Sequence, residues 1–247
     1  MMKTNLFLLI TGILLTGPLN AQTYLFLQEQ EIELRDTRSS AWVFPVVRDF
    51  DEAFDDLEKY AKDHSDMRMR KDGDNLFIAE KVSVSSIASK RGDLVGYGFS
   101  TDSYNAMAII FQLGYDISVN RGDWPMEMNN LHNFAKGFMS YHYEQSYLRR
   151  IDQLEKGIRS FEKELGQNER KIGNMEGKIE GLRKKIEKET DTAKVTEMES
   201  EIATLQSDIE ELQNTLPVLR DDIEGMQGKI EKLRSESMTF QNTIATL

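Results

Sequence analysis

Two hydrophobic periodicities divide the chain near residue 126. Upstream, apolar residues come in short alternating or β-rich runs: "TYLFLQEQEIEL", "AWVFPVV", "NLFIAEKVSVSSI", "LVGYGFS" and "YNAMAIIFQLGYDISV". Side chains alternate between the faces of a strand, so these runs predict about five strands. The separators "KDGDN", "KRGD" and "STDS" are rich in residues that accept positive φ or hydrogen-bond their own backbone. One segment has helical spacing instead: "DFDEAFDDLEKYAKDH" sets Phe50, Ala53, Phe54, Leu57, Tyr60 and Ala61 on one face and its acids on the other. Asp49 is placed to cap it, with Glu52 three residues on. A second helix is expected from "MEMNNLHNFAKGFMSYHYEQSYL". Residues 22–147 therefore predict a two-layer α+β head, mostly antiparallel, with its helices on one face of the sheet.

From Ile151 the apolar positions step by three and four: Ile151, Leu154, Ile158, Phe161, Leu165, Asn168, Ile172, Met175, Ile179, Leu182, Ile186. That is a heptad seam. A second seam runs from Val195 through Met198, Ile202, Leu205, Ile209, Leu212, Leu216, Leu219, Ile223, Met226, Ile230 and Leu233 to Phe240, Ile244 and Leu247. The step from Ile186 to Val195 fits neither a stutter nor a stammer, so the chain is expected to turn back near 188–194, around Thr190, Asp191 and Thr192. Residues 148–247 then form an antiparallel coiled-coil hairpin. Layers whose numbers sum to 384 pair apolar with apolar, from Ile186 with Met198 to Ile151 with Leu233. Flanking charges favour the same orientation: Arg183 faces Glu199, Lys185 faces Glu201, Lys178 faces Asp208 and Glu162 faces Arg220. Each exposed pair contributes only a few tenths of a kcal/mol, roughly, but the parallel alternative sets like charges together. The first arm would span about 55 Å at ~1.5 Å per residue. One level breaks the pattern: Asn168 in the first seam, with Gly166 beside it and Pro217 on the opposite arm. It predicts a kink shared by both helices, with a hinge as the alternative.

Residues 1–21 read as a secretory signal: "MMKTN", an apolar stretch Leu6–Gly17 too short to cross a bilayer comfortably, and small residues ending at Ala21. No later stretch approaches the ~20 apolar residues of a membrane span. The chain has no cysteine, so it offers no disulfide, no thiolate metal site and no lipid-anchored thiol. Its net charge of -11 argues against nucleic-acid binding. The charge is unevenly spread, with 11 basic and 8 acidic residues in 148–187 against 4 and 11 in 195–247, as expected of surfaces that face each other.

Candidate chemistry is sparse. Arg91-Gly92-Asp93 and Arg121-Gly122-Asp123 are triplets that adhesion receptors read when exposed, but Gly-Asp is also ordinary turn chemistry and is taken as such. His64, His132 and His142 lack metal-ligand spacing and are assigned to helix surface or packing. The run Asp49, Asp51, Glu52, Asp55, Asp56 lacks the glycine and terminal glutamate of an EF-hand, and reads as the solvated face of the first helix. Gly96 and Gly98 in "GYGF" do not complete a phosphate loop, and Gly173, Gly177 and Gly181 read as a loosening of the stalk. No catalytic, cofactor-binding or metal-ligating residue is assigned.

The signal ending before Gln22, "GDNLFIAEKVSVSSI", "AIIFQLGYDISVN", "LHNFAKGFMSYHYEQSYLRRIDQLEKGI" and the glycine-studded heptads resemble a family of uncharacterised exported proteins of Bacteroidetes with a small α+β head and a long helical tail. The resemblance implies a periplasmic, secreted or otherwise cell-envelope location and no known activity. The function expected is that of a non-enzymatic structural or interaction protein. Its head binds or anchors a protein partner, and its stalk acts as spacer or clamp, with room for a second hairpin to join it in a homo-oligomer. The alternative is a small-ligand carrier or enzyme with a pocket in the head.

Overall fold

The computed structural model describes residues 27–47, 49–114 and 117–246. The expected signal, the start of the first strand run and Leu247 lie outside them. Glu144–Gln241 form one compact unit; the described residues up to Tyr143, joined by 242–246, form the other.

The first unit is built on an antiparallel sheet of six strands, not five: β1 (Gln28–Leu34), β2 (Thr37–Pro45), β3 (Arg70–Lys71), β4 (Leu76–Val82), β5 (Gly92–Ser100) and β6 (Asn105–Gln112), in the order β1-β2-β6-β5-β4-β3. The strand missed is β3. Two charged, exposed residues carry no apolar alternation, and only their pairing with Ile78 and Phe77 makes them a strand. β2 also starts earlier than the apolar run, because Arg35 and Asp36 both take positive φ (50° and 64°) in a two-residue turn without glycine. β4 stops short of Ile87 at a bulge, where Lys81 has φ 52° and its N–H donates to Asp93 Oδ1 at 2.7 Å.

Helix α1 (Phe50–Ser65) begins as its sequence predicts, with Asp49 Oδ1 accepting from Glu52 N at 2.9 Å. It ends at Asp66 in the left-handed region, where the chain N–H returns to Ala61 and Lys62. The glycines of "GYGF" let this helix approach. A Cβ on Gly96 would lie 2.3 Å from Leu57 Cδ2, and one on Gly98 2.6 Å from the Phe50 ring. Trp42, Phe44, Leu94, Met107, Ile109 and Phe111 share that helix-covered face, since their partners in the register alternate together. Phe44, Phe54, Leu57, Phe111 and Phe138 are under 2 % exposed, each worth about 1.5–3 kcal/mol of transfer free energy.

The opposite face is also apolar. Leu34, Val43, Leu76, Ile78, Val95 and Ile110 form one cluster over Ala41, Ala106 and Ala108. Leu34 and Leu76 lie toward opposite edges of the sheet, which a flat sheet would hold roughly 20 Å apart at ~4.8 Å per strand. Sheet twist lifts two diagonal corners toward each other. Arg35, in the turn at one corner, accordingly reaches the Asp72 carboxylate at the other, and donates to the Asp72 carbonyl at 3.3 Å. The hydrogen bond from Arg35 holds the Asp72 carboxyl below the usual carboxylate range.

Two long helices complete the chain, α2 (Pro125–Ile186) and α3 (Thr192–Ala245). Proline at the first helical position of α2 has no N–H to leave unsatisfied. In the second unit, Ile172, Met175 and Ile179 of α2 pack with Ile202, Leu205, Ile209, Leu212 and Leu216 of α3. Ion pairs join Glu155 to Arg234, Glu169 to Arg220 and Lys178 to Glu201, so partner numbers fall along α3 as they rise along α2. Arg220 and Lys178 each choose a carboxylate one heptad from the partner expected, Glu169 for Glu162 and Glu201 for Asp208. The connection spans 187–191, ending before Thr192 because Asp191 Oδ1 accepts from Ala193 N at 3.0 Å and opens α3 there. Among the described residues no helix is long and apolar enough to cross a membrane.

Candidate functional site

Among the described residues, His142 and Asp56 form a buried pair of titratable side chains. Asp56 was expected on the solvated face of α1, yet it is 5 % exposed. Its position explains this: it lies three residues from Ala53 and four from Tyr60, within the stripe that packs inward. His142 on α2 is fully buried, with Nδ1 2.7 Å from Asp56 Oδ2. Val47 N donates to His142 Nε2 at 3.2 Å. A backbone N–H only donates, so Nε2 is the acceptor and the ring proton sits on Nδ1, facing Asp56. Both ring nitrogens are engaged inside the protein. A general base needs one of them open to a substrate, and this imidazole has neither. The pair instead joins α1, α2 and the segment after β2, beside two further bonds: Tyr143 Oη donates to Pro45 O and Trp42 Nε1 to Met128 O, each at 3.0 Å.

The other histidines are elsewhere. His132 is half-buried, its ring edge-on to Trp42 at 4.5 Å, and burial lowers its pKa below 6.5, helped by Lys136 and Arg121. His64 is exposed and stacks on Tyr60 at 4.1 Å. No group of three His, Cys, Asp or Glu among the described residues is arranged to hold a metal.

Neither Arg-Gly-Asp triplet is a free tip. Gly92 opens β5, where a Cβ would meet Gln112 O at 2.3 Å, and Asp93 is held by Lys81 N. In the second triplet Asp123 N donates to Asn120 Oδ1 at 2.9 Å, Asn120 Nδ2 donates to Asp123, and Arg121 binds Glu29 at 2.6 Å. This is the local side-chain bonding of a turn leading into α2. Comparison with protein-family models, with curated proteins and with solved structures finds no match for this chain.

The connection between α2 and α3 borders an open basin of about 500 Å³ lined by Lys184, Lys185, Lys188, Lys194, Glu189, Glu197 and Met198. Its lysines are balanced by Glu187, Glu189, Asp191 and Glu197. The Glu189 carboxylate already accepts from Thr190 N and Asp191 N, which lowers its pKa. With charges balanced and backbone donors taken, the basin has no field or fork to select an anion.

Proposed function

We propose that the chain is an exported, non-enzymatic interaction protein of the cell envelope, periplasmic or secreted, akin to the exported Bacteroidetes proteins it resembles. The sheet unit is its binding or anchoring module for a protein partner. The helical unit is an antiparallel coiled-coil hairpin serving as spacer or clamp. The observation that carries this reading is the packing of Ile172, Ile179 and Ile209 in one cluster with their heptad neighbours. Apolar seams consumed within one chain need no partner to be stable, which suits a self-supporting extension. The His142–Asp56 pair, sealed on both nitrogens, supports the non-enzymatic part.

The test joins a cross-link to a size measurement. Leu182→Cys with Ile202→Cys should oxidise to a disulfide within one chain, and light scattering of the oxidised protein should give the mass of the species that carries it. Cross-linking only between chains would remove the hairpin. Mass spectrometry of protein from the envelope fraction of an expressing Gram-negative cell should show an N-terminus at Gln22.

A further inference from the structure

One level of the helical unit differs from all others. Asn168 is the polar residue of the α2 seam; it is 7 % exposed, and its Nδ2 reaches only Thr215 Oγ1, at 3.4 Å. Thr215 Oγ1 is itself turned to its own helix, donating to Leu212 O at 2.7 Å. Pro217 lies inside α3, which stays helical across it. Without an N–H, that proline leaves the Gln213 carbonyl out of the helical ladder. On α2, Gly166 has nothing within 4 Å of where a Cβ would stand. The apolar cluster containing Ile172, Ile179 and Ile209 reaches this level at Leu216. Just beyond it the exposed pair Glu169–Arg220 provides little support.

A buried polar pair between separate helices commonly fixes their register. That use is redundant here, because the connection at 187–191 already sets which layers meet. What remains is the weakening, placed on both helices at one height. We propose that the Asn168–Pro217 level is a flexure about which the part of the helical unit near the 187–191 connection bends. This rests on the in-chain pairing of α2 with α3 proposed above.

The chain lacks cysteine, so spin labels go where they are put. Labels at Lys156→Cys and Lys184→Cys, exposed positions of α2 on either side of the level, stand about 42 Å apart if the helix is straight, at ~1.5 Å per residue. Electron–electron resonance should give a broad distribution with a shoulder several ångströms shorter. It should sharpen to one narrow peak in the Gly166→Ala, Asn168→Leu, Pro217→Ala variant, and partly so in Asn168→Leu alone. Amides of 167–170 and 219–222 should exchange hydrogen about tenfold or more faster than those of Ile179 and Leu205, and slow to their rate in the variant. A single narrow peak of equal width in wild type and variant overturns the flexure. A failed in-chain Leu182→Cys, Ile202→Cys cross-link removes the pairing and the flexure together, so the two failures are distinguishable.

Discussion

Replacing His142 tests whether the buried pair holds the sheet unit together. His142→Phe keeps the volume roughly constant but deprives Asp56 Oδ2 of its 2.7 Å partner and Val47 N of its acceptor. Each of these two groups loses a hydrogen-bond partner, at about 1–3 kcal/mol apiece. Stability of a domain is only about 5–15 kcal/mol, so the single variant should approach unfolding. Asp56→Leu alone leaves the Nδ1–H buried and unbonded, at about 1–3 kcal/mol. The double variant, with both groups apolar, should cost much less than the sum of the two, because an apolar replacement removes the desolvation penalty together with the bond. Urea unfolding followed by tryptophan fluorescence reads this unit selectively, since the two tryptophans, Trp42 and Trp124, both lie in it. With m near ~2 kcal/mol per molar, a loss of ~4 kcal/mol moves the midpoint by about 2 M. A His142→Phe cost below about 1 kcal/mol, or additivity in the double variant, would refute the argument.

Three further outcomes are expected. Gly173→Ala, Gly177→Ala and Gly181→Ala, whose new methyl groups meet nothing within 4 Å, should each stabilise the helical unit by about 0.5–1 kcal/mol in thermal melts followed by circular dichroism; Gly157→Ala, facing the Met226 sulfur at 3.0 Å, should gain less. His132 has its pKa lowered by folding, so the unfolded chain takes up the proton first on acidification. Its contribution to stability is complete above pH ~6.5 and is lost as pH falls from there toward the lower folded value, and His132→Phe should flatten the fluorescence-monitored stability between pH 7 and 5. Ile244 is 4 % exposed and belongs to the sheet unit, so Ile244→Ala should lower that unit's stability by about 2–5 kcal/mol in the same urea assay, while an unchanged midpoint would dissociate it from the core.

Regular periodicity made much of the fold legible. Strands β4, β5 and β6, the Asp49 cap and the two heptad runs follow from side-chain spacing alone. What was hidden depends on contacts distant in sequence. β3 exists only through its pairing with β4, and the coiling of the sheet only through the meeting of Arg35 with Asp72. The candidate chemistry failed to show for a related reason. Asp56 looks like one acid among five, and its helical spacing from Ala53 and Tyr60 was the one signal that it turns inward toward His142.

The seating of residues 242–246 in the first unit has a kinetic consequence. The sheet unit cannot acquire Ile244 until the whole of Glu144–Gln241 has been synthesised and has doubled back. Such a unit resists early completion at the ribosome, where domains otherwise tend to fold in order of emergence. Closure then becomes the last step, gated by how fast α2 and α3 find each other.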